Sequence, residues 1–571
     1  MEIYFPHDKI RASQKELVEE IYKALEKSSS LLAQAPTGTG KTASALAPAL
    51  TYVLKNKEKN LKVIFVTPKH TQHRIAIDTV RLIKEKYKFE FGVVDLIGKR
   101  WLCAHSGSEL LMPNEFSEYC KEMIENEECL HYKNIKSKKL TAATESFLRE
   151  LKTKTIHVED QKQESLKHHL CPYEVACLLA QDAKLIIADY HHLLSPGVRE
   201  TFLKKTNSEL ANLIIIFDEA HNLPEKTRDV MSTETSTLVI ESAAKEAASA
   251  GYKEIADDIM KFKNEIENLA KQKLSIEITE VLITKEDIKN AVESIIGYEE
   301  FVGNVEMIAE ETHEIKKRSY ASSLSLFLQT WLGPDESFIR IIKKVFTSKG
   351  KPNLKVAYRC LDPSLILKPL AESTYSFIAM SGTLTPIDVY SDLFGIDSRN
   401  FEFPSPFPVK NKLNIIIPDT TTKFTMRDDN MYKKIADYCA KITNIVPGSS
   451  AIFFPSYNLR DRIYSMMEST SEKTIFLETQ KMTKQDKSDL IEKFKTYKDA
   501  GAVLLGAAAG NFGEGLDFKD NLLKCVIVVG LPLSKPDLET QELIKYYDKK
   551  YGKGWEYGYT LPALTKCLQN A

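Results

Sequence analysis

Short runs of apolar residues, broken in one case by Asn414, recur along the chain, separated by stretches with helical spacing. The runs cover residues 63–66, 185–188, 213–217, 377–380, 413–417, 451–454, 502–505 and 525–529. A run with no polar alternation reads as a strand buried on both faces, the pattern of parallel sheets. Alternation of such strands with helical segments predicts an α/β fold. The strands fall into two groups, one ending at Met380 and one starting near Phe401, so two sheet domains are expected. The first group is interrupted twice. Residues 91–180 carry few strand signals, and residues 226–348 are charged and helix-like, as over 240–250 and 254–271. Both read as insertions into surface loops of the first sheet domain.

Length and charge narrow the class. A chain of 571 residues has room for about three or four domains. Its 78 basic and 79 acidic side chains nearly cancel, so a nucleic-acid surface must be local. There is no apolar run of about 18 residues and no signal-peptide pattern, so no membrane partner is expected and an intracellular protein is. Nine cysteines in a chain of this size do not make a disulfide scaffold.

Two motifs carry phosphate chemistry. Ala35-Pro36-Thr37-Gly38-Thr39-Gly40-Lys41-Thr42 follows a segment able to end a strand and precedes one able to form a helix. A phosphate loop needs that setting, because backbone N–H groups cradle phosphates and the helix amino end favours negative charge. Thr37, Gly38, Thr39 and Gly40 would line the phosphates of ATP, Lys41 would reach the β- and γ-phosphates, and Thr42 would ligate Mg²⁺. Ala35 stands where the general pattern has a first glycine. Asp218-Glu219-Ala220-His221 sits at the carboxyl end of 213–217, where open α/β sheets bind ligands. Asp218 is expected to hold Mg²⁺, and Glu219 to orient or deprotonate the attacking water. Lys41, Asp218 and Glu219 are thus the candidate catalytic set of an ATP-hydrolysing motor. His221 has two readings, coupling to a neighbouring domain or a hydrogen-bonded interface histidine.

Five cysteines, Cys103, Cys120, Cys129, Cys171 and Cys177, crowd into a window of 75 residues. The first four leave gaps of 16, 8 and 41 residues, unlike the close pairs of structural zinc sites. Four thiolates suit zinc or a [4Fe–4S] cluster, and spacing does not separate them. Cys177 reads as a packing residue. His105 and His131 read as structural or solvated residues, with replacement ligands as the other option. Between Phe91 and Val175 there are 12 Lys/Arg against 14 Asp/Glu, so the insertion is not basic overall. Its basic run, Lys133, Lys136, Lys138 and Lys139, reads as a solvated loop, with a phosphate contact as the sharper alternative.

In order along the chain, the motifs resemble those of superfamily 2 helicases, and more closely the iron–sulfur XPD/Rad3 family. Arg11-Ala12-Ser13-Gln14 resembles the family's adenine-side motif, which places Arg11 and Gln14 at the nucleotide. Thr67-Pro68-Lys69-His70 resembles its strand-contacting motif, which makes Thr67 and Lys69 DNA-phosphate contacts. Met380-Ser381-Gly382-Thr383-Leu384-Thr385-Pro386 resembles the motif coupling ATP state to DNA grip. Phe403-Pro404-Ser405-Pro406-Phe407-Pro408 resembles the start of the second motor domain. Phe453-Phe454-Pro455-Ser456-Tyr457 puts Ser456 among the DNA contacts. Gly510-Asn511-Phe512-Gly513-Glu514-Gly515-Leu516-Asp517-Phe518 resembles the late Gly-rich motif, with Glu514 and Asp517 on the nucleotide side. Tyr190, His191 and His192 would lie along the DNA path or pack. Trp101-Leu102-Cys103 and Cys171-Pro172-Tyr173 resemble the first and fourth cluster-ligand motifs. The resemblance therefore selects [4Fe–4S] over zinc, held by Cys103, Cys120, Cys129 and Cys171.

The resemblance implies two RecA-like domains. Residues 1–90, 181–225 and 349–395 would form the first and 396–571 the second, with an iron–sulfur domain at 91–180 and an Arch domain at 226–348. It implies an ATP-dependent helicase moving 5′ to 3′ on single-stranded DNA and opening forks in nucleotide-excision repair. The expected form is a monomer, archaeal and cytoplasmic, or nuclear if eukaryotic. The alternative is a DinG-like iron–sulfur helicase acting on other DNA or on RNA–DNA hybrids. Gln569 resembles the first residue of a last motif whose arginines do not follow before Ala571, so the chain is expected to be a fragment that hydrolyses ATP weakly.

Overall fold

A computed structural model describes residues 2–570, except 112, 137–139, 316–318, 348, 514–521 and 534. Fifteen strands occur among the described residues. In chain order they are β1 (Ser30–Gln34), β2 (Lys62–Thr67), β3 (Val93–Leu96), β4 (Leu185–Asp189), β5 (Leu213–Phe217), β6 (Thr233–Ser236), β7 (Glu280–Leu282), β8 (Phe338–Phe346), β9 (Pro352–Cys360), β10 (Ser376–Ser381), β11 (Ser398–Glu402), β12 (Ser449–Phe454), β13 (Thr474–Leu477), β14 (Ala502–Ala507) and β15 (Leu523–Val528). The chain divides into two compact units, Met1–Pro406 and Phe407–Ala571.

The first unit is built on a parallel sheet in the order β11-β1-β10-β5-β2-β4-β3. Strands β2, β5 and β10 are buried along their whole length. That burial follows from the apolar runs: strands sandwiched between helices lose water on both faces. The second unit holds a smaller parallel sheet, β13-β14-β12-β15. The fold is therefore α/β with two parallel sheets, as the apolar runs predict.

Between β5 and β10 the chain leaves the sheet for a largely helical body. Its longest helix, Lys253–Lys273, buries Ala256, Ile259, Phe262, Ile266 and Ala270, the spacing of one apolar stripe. These residues pack with Phe301, Phe327 and Trp331 into a separate core. The body is not purely helical. An antiparallel sheet, β6-β9-β8-β7, closes it, and its strand β9 runs to Cys360, past the expected end at 348.

Three expectations need correction. Residues 413–417 form no strand: Leu413, Ile415 and Ile416 are 83%, 70% and 88% exposed. An apolar run makes a strand only where a neighbour offers a ladder, and none does so here among the described residues. The second unit starts at Phe407 rather than 396, because β11 pairs in parallel with β1. The insertion expected from Phe91 begins later, because β3 joins the sheet beside β4.

That edge strand carries a buried acid. Asp95 accepts from the backbone N–H of Val158 at 2.9 Å and meets His73 Nδ1 at 2.5 Å. His73 in turn lies 3.5 Å from Asp189, at the end of β4, which also bonds His70 Nε2 at 3.2 Å. The cluster ties the helix His70–Tyr87 to the sheet and to the first insertion. Burial alone would push the His73 imidazole down, but Asp189 and Asp95 on its two sides more than offset this and raise it to about 9. Burial would raise Asp189, but bonds from His70 and His73 hold it well below the usual carboxylate range.

The linkage has two limbs. The His73 contribution is complete below its ordinary value near 6.5 and is lost as pH rises through about 9. The Asp189 contribution is complete above its ordinary value near 3.8 and is lost as pH falls below that. We expect melting temperature to fall on the alkaline side of neutrality, and His73→Gln to lower it at pH ~7 while flattening that alkaline limb. Melting curves across pH check this; an unaltered limb in the variant would contradict it.

Candidate nucleotide and catalytic site

Strands β1, β10 and β5 are neighbours, so the segments at their carboxyl ends come side by side. The loop after β1 turns through Gly38 and Gly40, with φ of +79° and +78°. Glycine occupies that left-handed region at no steric cost. Gly40 caps the helix Lys41–Lys55, and its first residue, Lys41, is 9% exposed. Ala35 N–H donates to the Ser381 carbonyl at 3.0 Å and Gln34 Nε2 to that of Gly382 at 3.1 Å. Gly382 lies against the loop: a Cβ there would stand 2.6 Å from Thr37 Oγ1, 3.3 Å from Thr37 N and 3.5 Å from Lys41 Nζ.

Thr37, Gly38 and Gly40 are exposed and Thr42 half-buried, as loop residues awaiting phosphates would be. Thr39 is buried, its hydroxyl donating to the Pro36 carbonyl at 2.7 Å. Gln14 is buried against the same loop. It donates to the Thr39 carbonyl at 2.9 Å and accepts from the backbone N–H of Arg11 at 3.0 Å. Its amide braces the loop, while Arg11 is exposed beside it.

At the end of β5, Asp218 is 6% exposed. Burial and the adjacent Glu219 push its carboxyl up to about 7, against the pull of Lys41. Glu219 has φ +52°, a conformation costing a non-glycine residue about 1–2 kcal/mol. Ser381 Oγ, at the end of β10, donates to Glu219 Oε2 at 3.3 Å and accepts from Thr383 N–H at 3.1 Å. It also meets His221 Nδ1 at 2.7 Å. With the serine hydrogen committed, Nδ1 carries the histidine proton, and His221 Nε2 accepts from Asn222 Nδ2 at 2.9 Å. One hydroxyl thus links the ends of β10 and β5, and β10 is the strand beside the phosphate loop.

The residues expected to touch DNA fare differently. Lys69 is half-buried and caps the helix His70–Tyr87. Thr67 is fully buried and spends its hydroxyl on the Lys69 carbonyl at 3.0 Å, so it shapes the turn and leaves phosphate contact to neighbouring groups. Tyr190 and His192, each 5% exposed, are too buried to meet a nucleic-acid strand. Tyr190 bonds the Asp218 carbonyl and packs on Phe217, and burial pushes His192 down to about 4. Both are packing residues. In the second unit Ser456 is exposed and caps the helix Tyr457–Met467. Glu514 and Asp517 lie outside the described residues, as do Lys138 and Lys139.

Sequence reasoning missed Glu478, which follows β13. Its carboxylate is wholly buried and accepts from Tyr457 Oη at 2.8 Å, Ala507 N–H at 2.9 Å and Asn511 N–H. It joins the segment after β12 to the start of the Gly-rich motif. An acid directly after an apolar run was the available signal.

The four expected cluster ligands do converge. Cys103, Cys120, Cys129 and Cys171 line one pocket with Lys99, Phe116, Met123 and Ile124. Cys177 is buried nearby and is not part of that lining. All the cysteines are free thiols. Burial pushes the Cys171 thiol up to about 11. His105 Nε2 and His131 Nδ1 are buried there without hydrogen-bond partners. Among the described residues no three side chains already stand as a metal-binding group. The donor set, four soft thiols in an apolar pocket, suits an iron–sulfur cluster or zinc.

Three family models match the chain: DEAD/DEAH box helicase over residues 11–101, DEAD_2 over 65–240 and Helicase C-terminal domain over 439–571. The "ATP-dependent DNA helicase XPD" of Sulfolobus acidocaldarius is 24% identical, over 98% of this chain and 92% of that protein. The "General transcription and DNA repair factor IIH helicase subunit XPD" of Dictyostelium discoideum is 22% identical, over 93% of this chain and 78% of that one. A solved structure titled "XPD_Helicase" superposes with a TM-score of 0.67 at 22% identity, covering 99% of this chain and 93% of its own.

Gly382→Ala tests the close approach. Overpacking of this kind costs about 1–3 kcal/mol, and where that cost falls on the phosphate loop nucleotide affinity is expected to fall about 5- to 150-fold. A fluorescent-nucleotide titration reads it, and unchanged affinity would contradict the geometry.

Proposed function

We propose a specific task for this chain, which belongs to the XPD/Rad3-type family of ATP-dependent DNA helicases: it moves 5′ to 3′ along single-stranded DNA and opens forked duplex during nucleotide-excision repair. The observation that carries the motor reading is the shared Ser381 hydroxyl, within 3.3 Å of Glu219 and 2.7 Å of His221. A group tied to both the water-orienting carboxylate and the strand beside the phosphate loop can pass a change at the γ-phosphate into the protein. The repair assignment is supported by the relative described as a DNA repair factor subunit.

In this reading Lys41 holds the β- and γ-phosphates, and Thr42 and Asp218 hold Mg²⁺. Glu219 positions the attacking water, and catalysis is by positioning and charge. Lys69 and the amino end of its helix hold a DNA phosphate. The helical insertion guides the displaced strand.

Cys103, Cys120, Cys129 and Cys171 hold a [4Fe–4S] cluster, favoured over zinc by the family. Such a cluster supplies a rigid cross-link and a one-electron redox centre. The chain's own contribution is a largely apolar pocket with the Lys99 ammonium against Cys120.

Glu219→Gln is expected to lower DNA-stimulated ATP turnover about 10²–10⁴-fold with nucleotide binding retained. A fork with only a 5′ tail should be unwound and one with only a 3′ tail left intact; the reverse preference would sink the polarity. Anaerobically purified protein should be coloured and carry iron and sulfide. Cys171→Ser should lose both, while Cys177→Ser should keep them.

A further inference from the structure

Of the tryptophans at 101, 331 and 555, Trp331 is sealed in the helical core, whereas Trp101 is 39% exposed. Trp101 sits on a one-turn helix, Lys99–Leu102, just before Cys103. Its position is held from several sides. The Arg100 guanidinium lies 4.7 Å from the ring centroid, a cation–π contact. Lys162 Nζ donates to the Trp101 carbonyl at 2.7 Å. The His70 ring stands 6.5 Å away at 83°, and Asp189 bonds His70 Nε2 at 3.2 Å.

This places an exposed, oriented indole beside a half-exposed imidazole, at the segment Lys69–His70. Exposing a large apolar ring to water is unfavourable, and none of the motor chemistry uses it. An aromatic face beside a phosphate-holding segment is what non-specific single-strand binding requires, because every base has a π-face. We propose that Trp101 is a stacking platform for one base of single-stranded DNA, with His70 beside it, next to the phosphate held at Lys69. This rests on the reading that the strand passes Lys69.

Two oligomers separate base from backbone: a deoxythymidine oligomer and an abasic sugar–phosphate oligomer of equal length. Trp101→Ala is expected to weaken binding of the thymidine oligomer about 5- to 150-fold and to leave abasic binding unchanged. The slope of affinity against salt should not move, since no phosphate contact is lost. Lys69→Ala should instead weaken both oligomers and reduce that slope by about one. In the wild type the thymidine oligomer should quench tryptophan fluorescence and the abasic one should not. Trp101→Phe should abolish the quench while keeping most of the affinity, a readout that needs no destabilising change.

If Trp101→Ala weakens both oligomers alike, the ring is only a brace between the helix and the insertion, and the inference fails. If thymidine binding is unchanged in Trp101→Ala while Lys69→Ala still weakens it, the inference fails alone. If the wild type binds neither oligomer, or Lys69→Ala changes nothing, the strand path itself is wrong and the stacking site falls with it.

Discussion

Strands buried on both faces have no room for polar side chains along their length, and this constraint arranges the rest of the first unit. Over β5 and β10 every residue is inaccessible to water. Charged and hydroxyl groups are therefore confined to the strand ends, and those at the carboxyl ends lie where the backbone leaves the sheet toward the phosphate loop. Because β1, β10 and β5 are adjacent, three such ends meet, bringing Lys41, Ser381, Asp218 and Glu219 into one place. The Ser381 hydroxyl is the point at which the ends of β10 and β5 touch. Its three polar neighbours belong to β10's own turn and to the segment after β5.

The same constraint governs how the insertions attach. A buried carboxylate is tolerated only where hydrogen bonds replace the water it has lost. Asp95 meets this condition through His73 and the Val158 amide, which pins the first insertion to the sheet edge. Glu246 does so in the helical body, accepting from the amides of Tyr320 and Ala321. Glu478 does so in the second unit. Each of these acids closes a connection between distant parts of the chain, so removing its partners costs more than one bond.

Much of this was legible because it is local. The run 213–217 has the bounds of β5, and the phosphate loop and Asp218-Glu219 follow from strand ends and spacing. What sequence could not give was pairing. Residues 413–417 are nearly as apolar as β5, with Asn414 the one polar side chain, but find no neighbour, and their exposure marks the difference. Strands β8 and β9 were hidden because Arg340, Lys343 and Lys344 interrupt β8 and its ladder lies within an otherwise helical body. Tyr190 and His192 had two readings in the sequence, the DNA path or packing, and burial makes them packing residues. Gly382 showed only as part of a motif; its approach to Thr37 spans the width of two strands. The cysteines were legible as a group, while the metal they select rests on the family.

The central claim is that Ser381 and His221 act as one unit in coupling ATP hydrolysis to DNA. The most direct measurement is a double-mutant cycle on DNA-stimulated ATP turnover, using Ser381→Ala, His221→Ala and the pair. A shared network predicts that the double variant is hardly worse than the poorer single one, a coupling of about 1 kcal/mol or more. Effects that simply add, within about 0.3–0.5 kcal/mol, would contradict the account.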